Sequence, residues 1–433
     1  MGADRPFAGV SSDTRTLVAG ELFVALRGPN FNGNDFVAAA EKAGAAGALV
    51  DTEQPAALPQ IVVSDTQAAL EKAASAWREQ FSIPIVGVAG SNGKTTVKEM
   101  TAQILSQAGN TMSTRGNLNN HIGVPLTLFR LAPEHRFAVV EMGANHPGEL
   151  AALVKIARPT IGLITNAGAE HLEGFGSLAG AARAEGEMVE HLAASGTAII
   201  NADDAFADMW RGLTKARVVT FGLQAGADFT ARDVRTEIGA AGFVTRFTLV
   251  CPSGSASVQL KLAGRHNVTN ALCAAAAAAA AGVSMDHIVA GLGAVQAVKG
   301  RLQFKKTRHG AWLIDDSYNA NPSSVHAGIE VLAQLDGRKW LVFGQMGELG
   351  SFAEEAHREV GAFARAHGIE RLFAVGEHAR LTVQTFGDGA AWFADTTALA
   401  QAVDAALTPD VCLLVKGSRS NRLERIVEAL GGK

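Results

Sequence analysis

The sequence predicts an α/β fold in three domains, with a doubly wound sheet in the middle and a Rossmann-like sheet at the C-terminal end. Short apolar runs alternate with helical stretches along most of the chain, the mark of parallel sheets covered by helices. At 433 residues the chain exceeds what one core ordinarily holds. A Gly-rich loop, Gly87 to Thr96, stands between an apolar strand and a helix, the join at which such sheets hold ligands.

The first domain is expected over residues 1–82. Strands are expected at Glu21–Leu26, Ala48–Val50 and Ile61–Val63. A helix over Asp35–Gly44 should turn Phe36, Ala39, Ala40 and Ala43 inward. A second helix, Thr66–Gln80, leads to a linker at Phe81–Pro84. The middle domain is expected over residues 83–298. It opens with the strand Ile85–Ala89, the Gly-rich loop and a helix over Lys94–Ala108. Strands at Phe137–Glu141, Ile161–Thr165, Ala198–Asn201 and Arg217–Thr220 follow, with a helix over Pro147–Ala157. Phe243–Val250 and Ala256–Leu262 alternate about Pro252-Ser253-Gly254, a hairpin pattern. The C-terminal domain, residues 299–433, carries strands at Trp312–Asp315, Lys339–Phe343, Leu372–Val375 and Val411–Lys416.

Composition excludes several classes. Hydrophobic residues make up 48% and charged residues 18%, a globular balance rather than a disordered one. The net charge of −4 gives no general pull toward nucleic acid or an anionic membrane. No signal peptide is visible, and the alanine-rich run Ala271–Val283 is too short to span a bilayer. Cys251, Cys273 and Cys412 have no metal spacing and read as buried thiols in a reducing compartment. A cytoplasmic protein is expected.

The loop Gly90-Ser91-Asn92-Gly93-Lys94-Thr95-Thr96 has the chemistry of a phosphate cradle. Glycines let backbone N–H groups approach phosphate oxygens with no Cβ in the way. The helix that follows points its positive end at the anion. Lys94 brings a point charge, and the Thr95 hydroxyl suits Mg²⁺. Val88 stands where the strict phosphate-loop pattern has its first glycine. Glu141 closes the strand Phe137–Glu141, where an α/β sheet presents ligands, and is a second candidate for Mg²⁺.

Beyond these pieces the chain resembles the ATP-dependent Mur ligases of peptidoglycan synthesis. The resemblance runs through Ser12-Asp13-Thr14-Arg15, the loop at Gly90, Gly116-Asn117-Leu118-Asn119-Asn120, Glu141-Met142-Gly143-Ala144-Asn145 and Asn166–Gly176. It continues through Gly264-Arg265-His266-Asn267, Gly300-Arg301, Asp315–Pro322, Gly347-Glu348-Leu349-Gly350 and Lys416-Gly417-Ser418-Arg419. It implies a first domain for the UDP end of the substrate, a second for ATP and a third for the incoming amine. The member it most resembles joins D-alanyl-D-alanine to UDP-MurNAc-tripeptide through an acyl phosphate. A monomer is expected, open without ligands and closing around them on binding.

The resemblance also assigns residues. Thr95, Glu141 and His171 match positions that hold or approach Mg²⁺, and Lys94 the charge on the terminal phosphates. Asn267, Asn270, Arg301 and Asp316 match nucleotide contacts, although Asn267 also reads as a helix cap. Asp13 and Arg15 match the UDP-sugar motif, and Asn119 and Asn120 the substrate loop. Asn319, Asn321 and Lys416 fall near the peptide or the amine. Asn319-Ala320-Asn321-Pro322-Ser323 replaces the Asp-Asn-Pro-Arg motif of the diaminopimelate-adding members, which favours the dipeptide as amine.

One position departs from the family. Mur ligases carry a lysine that takes up CO₂ to become a carbamate beside the metal, and Glu185 stands there in this chain. A glutamate ends in the same pair of oxygens on a shorter arm. Either Glu185 replaces the carbamate permanently, or it is a solvated helix residue. Three other readings compete: a folylpolyglutamate synthase, which shares the loop and the acyl-phosphate chemistry; a silent nucleotide-binding paralogue; and a simple P-loop kinase, which would leave the third domain without a purpose.

Overall fold

The computed structural model describes residues 6–239 and 242–431. The N-terminal sheet has four parallel strands in the order Val10–Ser11, Leu22–Val24, Gly47–Val50, Gln60–Val62. The first helix differs from expectation. Gly33–Phe36 forms a 3₁₀ turn and the α-helix covers only Val37–Lys42. Its buried residues are Val37 and Ala40, while Phe36 and Ala39 face solvent. Asn32 capping Asn34 starts the turn early and rotates the face.

The helix Thr66–Arg78 is capped by Asp65 and buries Leu70 and Ala74. It packs against the short helix Gly123–Leu128 of the middle unit. Trp77 Nε1 donates to the Leu131 carbonyl at 3.2 Å, and Arg78 Nε to that of Ala157 at 2.9 Å. The segment after it is packed rather than free, since Phe81 and Ile83 rest on the middle core.

The middle sheet is six-stranded and parallel, in the order Arg217–Phe221, Thr197–Asn201, Ile161–Ile164, Ile85–Ala89, Phe137–Glu141, Thr111–Ser113. Every residue of the strands Ile85–Ala89, Phe137–Glu141 and Ile161–Ile164 is buried, as a sheet covered on both faces requires. Strand order reverses between Ile85–Ala89 and Ile161–Ile164, and the Gly-rich loop leaves at that switch point. The hairpin about Pro252 is present, but it is part of a three-stranded antiparallel sheet that also includes Thr230–Gly239.

The alanine-rich helix Arg265–Ala280 lies beside the loop's own helix, Lys94–Ser106. Its residues Ala271 through Ala278 are buried without exception. Small side chains let it approach the sheet and its neighbour closely. All three cysteines are buried thiols.

The C-terminal sheet runs Gln303–Lys306, Trp312–Asp316, Val411–Lys416, Arg338–Gly344, Arg371–Val375, Ala390–Phe393. Only the first of these pairs antiparallel. The two edge strands, Gln303–Lys306 and Ala390–Phe393, had no counterpart among the sequence-based expectations because partial burial leaves them without a clear apolar run.

Candidate active site

The strand Ile85–Ala89 ends in a loop built to turn sharply. Gly90 has φ +118°, and a Cβ there would stand 2.1 Å from Thr165 Oγ1. Gly93 has φ +82°, and its Cβ would stand 2.6 Å from Asn270 Oδ1. Only glycine fits either place. Loop amides anchor on the neighbouring strand's end: Ser91 N donates to the Asn166 carbonyl at 2.9 Å and Asn92 N to Asn166 Oδ1 at 3.1 Å. Gly93 caps the helix Lys94–Ser106 with no side-chain acceptor. The N–H groups of its first turn are therefore directed at whatever occupies the cleft.

That cleft measures about 650 Å³ and lies between the middle and C-terminal units. Ser91 through Thr96, Asn119, Asn120, Glu141, His171, Asn267, Asn270, Arg301, Asp316, Asn319, Asn321 and Lys416 all line it. The structure thus gathers residues that are more than 300 positions apart in the chain, Ser91 and Lys416 among them. Asp13 and Arg15 are outside it. They sit on an exposed turn, paired to each other at 2.6 Å, and the Arg15 hydrogen bond holds the Asp13 carboxyl down to about 2.

Thr95 and Glu141 meet in the cleft. Thr95 Oγ1 donates to Glu141 Oε1 at 3.2 Å, and Asn119 Nδ2 donates to the same oxygen at 3.0 Å. Glu141 Oε2 is buried with no hydrogen-bond partner. A buried carboxylate oxygen with no donor calls for a cation, so these residues fit Mg²⁺. His171 does not join them directly. Its Nδ1 faces Glu348 Oε2 at 2.6 Å and its Nε2 lies 3.6 Å from Glu170 Oε1. Burial disfavours its charged form, but the Glu348 hydrogen bond and the Glu170 charge outweigh that and raise its pKa.

Lys94 is folded back on the loop. Its Nζ donates to the carbonyls of Gly90 at 2.6 Å and Ser91 at 3.0 Å, and to Glu170 Oε2 at 3.3 Å. Burial alone would lower its pKa, but Glu170, Glu185 and Glu141 together raise it, so the ammonium stays charged.

Glu185 is not a solvated residue. It is 7% exposed on the helix Leu178–Glu190, and its Oε2 accepts the Gly90 N–H at 2.7 Å. Burial raises its pKa to about 7, against the pull of Lys94 and the Gly90 N–H toward the charged form. Glu187, two residues on, faces elsewhere and accepts from Gly148 N and Ala151 N at the start of the helix Glu149–Ala157.

The C-terminal unit forms the opposite wall. Arg301 Nη2 donates to Thr95 Oγ1 at 3.3 Å, and its guanidinium stacks 4.5 Å from the Tyr318 ring centre. Asn321 Nδ2 donates to Asn92 Oδ1 at 2.8 Å, and Asn92 Nδ2 to Ser323 Oγ at 3.0 Å. Lys416 Nζ binds Asp316 Oδ2 and the Asn319 carbonyl, and Leu302 N binds Asp316 Oδ1. The walls already touch through these bonds, in place of the open form expected without ligands. Asn267 is no helix cap: Gly264 holds that place, and Asn267 Nδ2 donates to the Ala263 carbonyl at 2.7 Å while its Oδ1 accepts from Asn270.

Glu170, Tyr318 and Glu348 belong to this neighbourhood and were not expected as site residues. Each had a signal: Glu170 adjoins His171, Tyr318 is the only tyrosine of the chain, and Glu348 lies in one of the matching motifs.

A phosphate loop at the switch point of one sheet, faced by the wall of a second α/β unit, defines a nucleotide-using enzyme that works between two domains. Family models agree in detail. One described as Mur ligase family, catalytic domain, matches residues 6–80; the Mur ligase middle domain matches 88–278; and the Mur ligase, glutamate ligase domain, matches 300–419. The chain belongs to the Mur ligase family.

The UDP-N-acetylmuramoyl-tripeptide–D-alanyl-D-alanine ligase of Escherichia coli (strain K12) is 46% identical over 99% of this chain and 95% of its own length. The enzyme of the same name from Bacillus subtilis (strain 168) is 34% identical over 98% and 93%. A crystal structure of MurF from Acinetobacter baumannii superposes with a TM-score of 0.91 at 36% identity, covering 97% of this chain and 92% of that one. MurF ligase from Thermotoga maritima, solved with ADP, gives 0.85 at 25% identity, covering 98% and 96%. A folylpolyglutamate synthase of Mycobacterium tuberculosis shares the fold at 19% identity and 0.67, covering 83% of this chain and 94% of that one.

Proposed function

We propose that this chain is the ATP-dependent ligase that joins D-alanyl-D-alanine to UDP-N-acetylmuramoyl-tripeptide, releasing ADP and phosphate for peptidoglycan precursor synthesis. The observation that carries the proposal is the full-length identity of 46% to a ligase of that name. The phosphate loop and facing wall supply the chemistry. A carboxylate oxygen of the tripeptide attacks the γ-phosphorus of ATP, and the bond to ADP breaks. The amine nitrogen of D-alanyl-D-alanine then attacks the acyl carbon. The carbon–oxygen bond to phosphate breaks, and the amine gives up a proton as the amide forms.

Neither step needs a protein nucleophile; positioning and neutralisation of charge carry both. Lys94 and the first-turn N–H groups of its helix receive the phosphates. Thr95 and Glu141 would hold Mg²⁺, which would draw charge off the phosphate oxygens. Asn267 and Asn270, fixed on the buried alanine-rich helix, and Arg301 and Asp316, on the other wall, bind the nucleotide. Asn119 and Asn120 hold the tripeptide, Asp13 and Arg15 the UDP end, and Asn319, Asn321 and Lys416 the peptide or amine. Glu185 offers a carboxylate where relatives carry a lysine carbamate, its charged form opposed by burial but favoured by Lys94 and the Gly90 N–H, so activity does not require CO₂. The domains divide at about residues 82 and 298, and a cytoplasmic monomer goes with this reading. Among the described residues no helix is long and apolar enough to cross a membrane.

A coupled phosphate-release assay tests the reading. Release should require UDP-MurNAc-tripeptide and D-alanyl-D-alanine together and should not occur with a folate and glutamate. Release with the folate pair, or indifference to the dipeptide, would refute it. Full activity and unchanged Mg²⁺ dependence in Glu185→Gln would refute the assignment of Glu185.

A further inference from the structure

The pair Glu348–His171 joins the two units at a place the reaction scheme does not use. His171 lines the cleft; Glu348, whose side chain is 63% exposed, does not. Both residues hold left-handed backbone conformations, His171 at φ 50° and Glu348 at φ 62°. A non-glycine residue rarely stays there unless its surroundings fix it, and such positions gather at functional sites. Here each of two contacting residues, on opposite units, is held that way.

The Glu348 loop is braced from behind. Met346 N donates to Nε2 of the fully buried His357, whose Nδ1 faces the Ala353 carbonyl at 2.6 Å. Gly347 N donates to Ser418 Oγ at 2.8 Å. On the other side, His171 begins the short helix Leu172–Phe175. The imidazole thus meets a carboxylate whose own loop is fixed. With Nδ1 engaged by Glu348, Nε2 faces Glu170, which in turn holds Lys94.

We propose that Glu348 is a positioning residue of the active site: by accepting the Nδ1–H of His171 from the C-terminal unit, it fixes the ring so that Nε2 is turned toward Glu170 and the metal and phosphate end of the cleft. A carboxylate behind a histidine is the usual way to fix which ring nitrogen serves a metal. In this chain the carboxylate comes from the opposite unit, so the ring is aligned only while that unit is docked. The inference rests on the cleft being the ATP and Mg²⁺ site.

The test uses the full chain and its Glu348→Ala and Glu348→Gln variants, with His171→Asn to assign the ring. Nitrogen-15 spectra of the histidine rings at about pH 9, where ordinary imidazoles are neutral, report which nitrogen of His171 bears the proton. Electron paramagnetic resonance reports Mn²⁺ binding in the presence of ADP. Glu348→Ala should mix the two ring forms and weaken Mn²⁺ binding by ~10–100-fold. Glu348→Gln retains an acceptor oxygen and should keep the wild-type ring form, with a smaller loss of affinity. An unchanged ring signal or an unchanged Mn²⁺ affinity in Glu348→Ala overturns the proposal. Absence of Mn²⁺–ADP binding in the wild type would instead overturn the reading of the cleft on which it rests.

Discussion

Lys94 shows how local sequence and distant structure divide the work at a single residue. Its place after Gly93 and before Thr95 announces a phosphate ligand, and the structure keeps it charged with three glutamates. Replacing it with Ala should lower kcat by on the order of 10²–10³-fold, the usual loss when one preorganised charge partner is removed; a steady-state assay at saturating ATP measures this. Glu185 gives a pH prediction. Its carboxyl titrates near 7 when folded, against an ordinary value of 4.5. Between those values the folded protein binds a proton that the unfolded chain has already lost. Stability contributed by this group is therefore present at low pH and falls as pH rises through that window. In urea titrations, wild type should lose stability relative to Glu185→Gln as pH rises from 4.5 to about 7, by on the order of 1–3 kcal/mol. Parallel curves would show that Glu185 does not titrate there. Glu185's departure was visible in the sequence, but its burial was not, because nothing in the stretch Ala182–Glu187 says which helix face meets the phosphate loop.

Among the elements, the most legible were those whose burial is continuous. Ile85–Ala89 and Phe137–Glu141 are apolar from end to end because both sheet faces are covered. The strand Thr230–Gly239 escaped notice because residues 232–237 face solvent, and a bulge shifts its register between Arg232 and Arg235. The first short helix was rotated by a capping turn that apolar spacing does not encode. Helix contacts also set a sharp limit on substitution. A Cβ on Gly291, in the helix Met285–Ala294, would stand 2.4 Å from the Ile104 Cα of the phosphate-loop helix. Backbone cannot swing aside as a side chain can. Gly291→Ala should destabilise the fold by about 1–3 kcal/mol, read from a denaturant midpoint, and a wild-type midpoint would mean the helices separate freely.

The whole molecule is where sequence reading reached least far. Motif order could say that three domains share one site, but not that Asn321 would reach Asn92 or Arg301 reach Thr95, contacts that span 229 and 206 residues. Nor did it place Asp13 and Arg15, whose exposed turn lies off the cleft. These bonds across the cleft predict a conformational effect. Arg301→Ala combined with Asn321→Ala should give solution scattering with a larger radius of gyration than wild type. Identical profiles would show that docking depends on other contacts.

The alanine-rich helix has a mechanical consequence. Its first two turns offer Asn267 and Asn270 to the cleft, and the stretch from Ala271 to Ala278 is sealed in a core of the middle unit. Side chains that are mostly methyl groups let the backbone pack closely and leave little slack, so this helix works as a pile driven into bedrock. The nucleotide end of the site is thereby anchored in the middle unit, while the C-terminal wall rests on it through the polar bonds across the cleft and through Phe243, which packs against Phe304.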